Sequence, residues 1–220
     1  MARAVLFDLD DTLIASTPAF FATLRRTAAA LGLPEPDAEA LSVEFPSWPE
    51  RVAHLFPGVA FERFDAHYRR LVEEIPFEPI RGAAEALRRL RPRPLGIVTN
   101  RARALCGLRM RQGGVPEDLF EFVLTLEDLP AAKPDPGALA PALVRLRERD
   151  PGLAPEEVLY VGDRVLDARA AAGAGVGFVA VLTGVETAAA FRAAGVPEAR
   201  ILASVAELPE LLPRRSAART

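Results

Sequence analysis

The sequence predicts an α/β fold: a parallel sheet core with helices on both faces, and an inserted α-helical subdomain near its start. Three observations point there. From Gly82 onward, short apolar runs alternate with stretches of helical period, the pattern of successive β-α units. Between Ser16 and about Glu78 the spacing is helical and no convincing strand stands out. Several apolar runs end abruptly in acids, a hydroxyl or an amide, and a parallel sheet gathers all such ends on one edge.

The elements follow in order. Ala4-Val5-Leu6-Phe7 makes the first strand, over about 3–8. Phe21, Leu24, Ala28 and Leu31 share one helical face, and Gly32 and Pro34 end that helix. A short helix is expected over 37–43. Pro46-Ser47-Trp48-Pro49 breaks it and opens another, through Val52 and Leu55 to Phe56. Phe61, Phe64, Tyr68, Leu71 and Ile75 space as an amphipathic helix, closed by Pro76 and Pro79. Beyond Gly82, helices are expected over 83–90, 101–112, 137–149, 167–174 and 187–194. Strands are expected over 95–98, 122–124, 158–161, 177–182 and 201–202. The polar tail 214–220 is expected to fray. The division is a core of 1–14 and 80–220, with 15–79 as the helical insert.

Composition narrows the function. A chain of 220 residues with 50% hydrophobic content can bury a sizeable core. The net charge of -3 gives no case for a nucleic-acid or membrane surface. Cys106 is the single cysteine, which fits a reducing compartment; no leader-like or bilayer-length apolar run is evident, so the expected location is cytoplasmic. No apolar seam stands out that would set an oligomeric state. Of the 27 basic residues only Lys133 is a lysine: it reads either as a position where a compact ammonium serves and a wide planar fork does not, or as one chance survivor of a composition that favours arginine.

Asp8-Leu9-Asp10-Asp11-Thr12 puts three carboxylates within four residues at a strand end. Like charges about 4 Å apart repel by about 1 kcal/mol in bulk water and several times more in a drier site. A cation among them relieves that repulsion, so the cluster reads as a metal site; a solvated acidic turn is the plainer alternative. The strand over 95–98 ends in Thr99-Asn100, and the strand over 158–161 ends in Gly162-Asp163, with Asp167 four residues on. Lys133-Pro134-Asp135-Pro136 lies in a loop ahead of a helix.

In this order, Asp8-Leu9-Asp10-Asp11-Thr12, Thr99-Asn100, Lys133-Pro134 and Gly162-Asp163-Arg164-Val165-Leu166-Asp167 resemble the four motifs of the haloacid dehalogenase superfamily of phosphohydrolases. Ala170 to Gly175 and Val181-Leu182-Thr183-Gly184 look like it too, so the resemblance spans nearly the whole chain. The helical block resembles the cap that the phosphoglycolate phosphatase and β-phosphoglucomutase branch inserts after its first motif. The resemblance implies a Rossmann-like core with a helical cap. It implies that Asp8 is a nucleophile forming an aspartyl-phosphate, which splits one hard step into two. Asp10 would protonate the leaving oxygen and later take a proton from water. Mg²⁺ would be held by the Asp8 carboxylate, the Asp10 main-chain carbonyl and Asp163, with Asp167 behind them anchoring Lys133 or a metal-bound water. Lys133 would hold Asp8 and a phosphate oxygen. The Thr99 hydroxyl and the Asn100 main-chain N–H would cradle the phosphate, helped by a helix starting at Arg101. Thr12 would steady the first loop.

Some positions depart from the family's habit. Asp11 stands where many relatives have glycine, Ala15 where an acid is frequent, and Arg164 where a small residue is usual. Glu44-Phe45-Pro46-Ser47-Trp48 is not the glycine-bearing cap loop of a phosphoglycolate phosphatase. Trp48, Arg51 and Arg164 are candidates for substrate specificity, against the alternative that they simply pack. The expected function is a Mg²⁺-dependent phosphatase acting on a small phosphorylated metabolite. A sugar-phosphate mutase and a non-hydrolytic phosphoacceptor domain are the alternatives. A phosphonate hydrolase needs a cap lysine, and the insert has none.

Overall fold

The computed structural model describes residues 2–37, 40 and 47–212. The chain divides into two compact units, Met1–Ala15 with Glu78–Thr220, and Ser16–Phe77. The first holds a six-stranded parallel sheet built from β1 (Ala4–Phe7), β4 (Leu95–Val98), β5 (Phe122–Leu124), β6 (Val158–Gly162), β7 (Gly177–Val181) and β8 (Ile201–Leu202). Their spatial order is β5-β4-β1-β6-β7-β8. Every residue of β1, β4 and β6 is buried, which is why these strands read as unbroken apolar runs rather than alternating ones. Val5 lies beside Leu95 on one side and Leu159 on the other. Leu6, Val98, Leu139, Tyr160, Phe178 and Phe191 belong to one buried cluster. A methyl group on Gly96 would come within 2.5 Å of the Phe122 ring, so that strand position is closed to any side chain.

The strand order explains where chemistry gathers. After β1 the sheet fills outward through β4 and β5, then crosses back to β6 and continues to β8. The order reverses around β1, and the crevice at the carboxyl end of such a reversal is where open α/β sheets bind ligands. The loops after β4, β1 and β6 are therefore neighbours.

Four local expectations change. A two-stranded antiparallel ribbon, β2 (Ile14–Ala15) with β3 (Glu78–Pro79), sits where no strand was legible; two residues carry no periodicity. The helix expected from Arg101 begins at Arg103. Its first two expected residues are taken by a loop in which the Arg101 amide donates to Thr99 Oγ1 and Ala102 is extended. The helix expected over 137–149 is a 3₁₀ turn, Pro136–Leu139, followed by the helix Ala140–Arg149. The helix expected from Asp167 begins at Val165. The short helix over 37–43, Glu44-Phe45-Pro46 and the tail 214–220 lie outside the described residues, apart from Asp37 and Ala40.

In the second unit, helices Ser16–Leu31, Trp48–Leu55 and Phe61–Val72 bury Leu24, Ala28, Val52, Phe56 and Phe64 together. The Ser47 side chain accepts from the Glu50 amide and caps the second of these helices. Among the described residues no helix is long and apolar enough to cross a membrane.

Candidate active site

Asp8 is fixed by the sheet itself. Its amide donates to Val161 O at 2.8 Å, extending the pairing of β1 with β6 by one residue. The chain then turns sharply. Asp11 has φ +53°, a left-handed conformation that favours glycine and that aspartate tolerates better than most residues. That accounts for the glycine habit at this position and for aspartate as its substitute. The Asp11 amide donates to Ile14 O at 2.7 Å, and Thr183 Oγ1 donates to Asp11 O. Thr12 Oγ1 donates to Asp163 Oδ1 at 3.2 Å, tying the first loop to the loop after β6.

Lys133 is the hub. Its Nζ donates to Asp8 Oδ1 at 2.6 Å, Asp167 Oδ1 at 2.7 Å and Tyr160 Oη at 2.7 Å. Three close acceptors match the three N–H bonds of an ammonium. A planar guanidinium does not place its donors toward three acceptors around one point, which gives the lone lysine its physical reason. The Lys133 side chain is only 2% exposed, and that of Asp167 is fully buried. The Lys133 backbone is held as firmly: its amide donates to Asn100 Oδ1 at 3.0 Å and its carbonyl accepts from Asn100 Nδ2 at 3.1 Å. Asn100 thus uses its side chain on the lysine loop. In the sequence Tyr160 reads as one more strand residue. Its hydroxyl donates to Val98 O at 2.9 Å, and the only signal for it was a polar atom inside an apolar run.

Asp8, Asp163 and Asp167 each place a carboxylate oxygen within 4.8 Å of the others. Burial pushes Asp163 up to about 9, and the charges of Asp8, Asp167 and Asp11 add to the rise. Burial pushes Asp8 up to about 7 against the opposing pull of Lys133. Burial works against the Lys133 charge, yet Asp167 and Asp8 hold its pKa well above the usual lysine range. Three buried acids face one ammonium, so burial and mutual repulsion oppose their ionisation until a cation joins them, and the donors are hard oxygens. This set fits Mg²⁺. Two glycines press on it. A methyl group on Gly184 would lie 2.0 Å from Asp163 Oδ2, and one on Gly162 would lie 2.5 Å from Asp167 Oδ2.

Asp8, Lys133, Asp163 and Asp167 line a cavity of about 330 Å³ together with Asp10, Thr99, Asn100, Arg101 and Arg164. The Asp10 carboxylate is engaged by Arg101. It accepts from Arg101 Nε at 2.9 and 3.1 Å and from Arg101 Nη2. Arg101 entered the sequence reading only as a helix start, and no local pattern marks its contact with Asp10. Arg164 pairs with Glu186 at 3.6 Å, and its amide donates to Asp167 Oδ2 at 3.1 Å. Trp48 and Arg51 belong to the helical unit. There the Trp48 indole donates to Asp65 Oδ1 at 2.8 Å and the Arg51 guanidinium lies 5.2 Å over the Phe20 ring.

The chain is similar to several known proteins. Residues 5–181 match the family model described as haloacid dehalogenase-like hydrolase. A phosphoglycolate phosphatase of Cereibacter sphaeroides is 31% identical over 94% of this chain and 96% of its own length. A hydrolase of the same family from Deinococcus radiodurans, solved with bound phosphate and sodium, superposes with a TM-score of 0.76 at 27% identity, covering 96% of this chain and 95% of that one. A protein from Thermotoga maritima provisionally assigned as a β-phosphoglucomutase superposes at 0.78 with 24% identity over 96% and 98% of the two chains, a likeness of fold.

Proposed function

The chain belongs to the haloacid dehalogenase-like hydrolases and is a phosphohydrolase; on that premise we propose that it hydrolyses a small phosphate monoester with Mg²⁺ through an aspartyl-phosphate on Asp8. The observation that carries this reading is Asp8 itself. It is buried, 2.6 Å from the Lys133 ammonium, and lines the same cavity as Asp163 and Thr99.

When bound, Mg²⁺ would supply positive charge against the phosphate, held by the Asp8 and Asp163 carboxylates and the Asp10 main-chain carbonyl. The remaining work falls to the chain's own residues. Lys133 orients the Asp8 oxygen and neutralises a phosphate oxygen. Thr99 and the Asn100 amide face the other phosphate oxygens. Asp8 attacks phosphorus, an Asp8–phosphorus bond forms, and the ester bond breaks. Asp10 hands its proton to the departing oxygen. A water then attacks the acyl phosphate, Asp10 takes its proton, and orthophosphate leaves with Asp8 restored. Asp167 holds Lys133 rather than the metal, because its oxygens already accept from Lys133 and from the Arg164 amide. Thr12 steadies Asp163. The helical unit is the cap. Phosphoglycolate is the first substrate to try, from the relative's name. A mutase would share every core residue and differ in excluding water from the acyl phosphate.

The test is free phosphate released from a panel of small phosphate esters, with and without EDTA. Release that EDTA stops, and that Asp8→Asn abolishes while the circular dichroism spectrum stays unchanged, supports the reading. Undiminished turnover in EDTA, or more than a trace from Asp8→Asn, overturns it. Phosphate transfer within a sugar, with none set free, favours the mutase.

A further inference from the structure

We propose that Arg101 determines specificity, its guanidinium taking a carboxylate carried close to the ester oxygen of the substrate. The inference rests on the roles given above to Asp8 and Asp10.

Arg101 is built into the site. Its amide donates to Thr99 Oγ1 at 3.1 Å and its carbonyl accepts from the Leu126 amide at 3.0 Å, so the backbone is pinned on both sides. Its side chain is 19% exposed and pairs with Asp10, 27% exposed, in the lining of the same cavity. The position therefore follows from the same loop that presents Thr99 and Asn100.

The geometry then separates the two ends of a substrate. Lys133, Thr99 and Asn100 surround the phosphoryl end. Asp10 serves the departing oxygen, and Arg101 is in contact with Asp10. Whatever is attached one or two bonds beyond that oxygen lies against Arg101. A guanidinium is a planar fork of donors that suits a two-oxygen anion and has nothing to accept a hydroxyl proton. It already holds one carboxylate in this way, in Asp10. A phosphate ester of a short hydroxy acid presents a second one there, and Arg101 shares its donors between the two. An uncharged leaving group returns nothing for the disturbed Arg101–Asp10 pair.

The experiment compares two esters of the same skeleton, phosphoglycolate and 2-hydroxyethyl phosphate, by phosphate release. Wild type, Arg101→Met and Arg101→Lys are each measured for kcat and KM, with thermal melting to establish that each variant folds. Wild type is expected to favour phosphoglycolate in kcat/KM by about 30-fold, the ordinary worth of hydrogen bonds to a charged group. Arg101→Met brings the two esters to near parity, mainly through a raised KM for phosphoglycolate, and Arg101→Lys restores part of the difference. Equal losses on both esters would mean that Arg101 only positions Asp10 and would overturn the proposal, as would unchanged kinetics. Wild type that releases phosphate from no ester at all overturns the phosphatase reading instead, and this inference with it.

Discussion

Replacing Lys133 by methionine removes the ammonium that a buried group of acids shares. Methionine keeps most of the length and the apolar stem, so little packing is lost, and the loss is electrostatic. Lys133 Nζ satisfies Asp8 at 2.6 Å, Asp167 at 2.7 Å and Tyr160 at 2.7 Å, and none of the four side chains is more than slightly exposed. Breaking a buried pair by deleting one partner typically costs about 3–5 kcal/mol, because the other charge stays behind unpaired. For a chain of this size that corresponds to a fall in melting temperature of about 10 °C. The measurement is thermal melting at pH 7 in EDTA, so that no divalent ion stands in for the ammonium. The orphaned acids escape the penalty by taking up protons, and the deficit is therefore smaller at pH 5 than at pH 8. Adding Asp167→Asn to the methionine variant removes one orphaned charge and recovers about 1–2 kcal/mol, a coupling within the range for residues in one network. A melting point within a couple of degrees of wild type, or strictly additive losses in the double variant, would refute the reasoning.

Three further outcomes follow from the same geometry. Lys133→Arg keeps the charge but cannot serve three acceptors around one point, so kcat falls by about 100-fold, the effect of roughly an ångström of misplacement; near-normal turnover would make the sole lysine an accident. Gly184→Ala drives a methyl group into Asp163, and the Mg²⁺ concentration for half-maximal stabilisation rises by about 10-fold or more. An unchanged Mg²⁺ titration would show that the loop yields at no cost. In EDTA, the folded protein keeps protons on Asp163 up to about 9 and on Asp8 up to about 7, where an unfolded chain has lost them near the ordinary value of 3.8. That contribution is present in full below the unfolded value and is lost as pH rises toward the folded ones. Melting temperature in EDTA thus falls from pH 5 to pH 9, and Mg²⁺ raises it more at pH 8 than at pH 5. A flat or rising profile would contradict the burial of these acids.

The sequence alone determined the α/β core and the helical insert. Buried parallel strands must be apolar on both faces, and Leu95 to Val98 and Val158 to Val161 show that without ambiguity. Strand ends rich in Asp, Thr and Asn were equally visible, because all carboxyl ends of a parallel sheet share one edge whatever the strand order. The structure decided which long-range partners meet there. Tyr160 as an acceptor for Lys133, Arg101 across Asp10, and Gly184 against Asp163 join residues from segments far apart in the chain, and none leaves a trace in local spacing. Periodicity reports the face a residue occupies, whereas a contact between two loops depends on strand order and on how each turn is aimed, which only the folded sheet fixes.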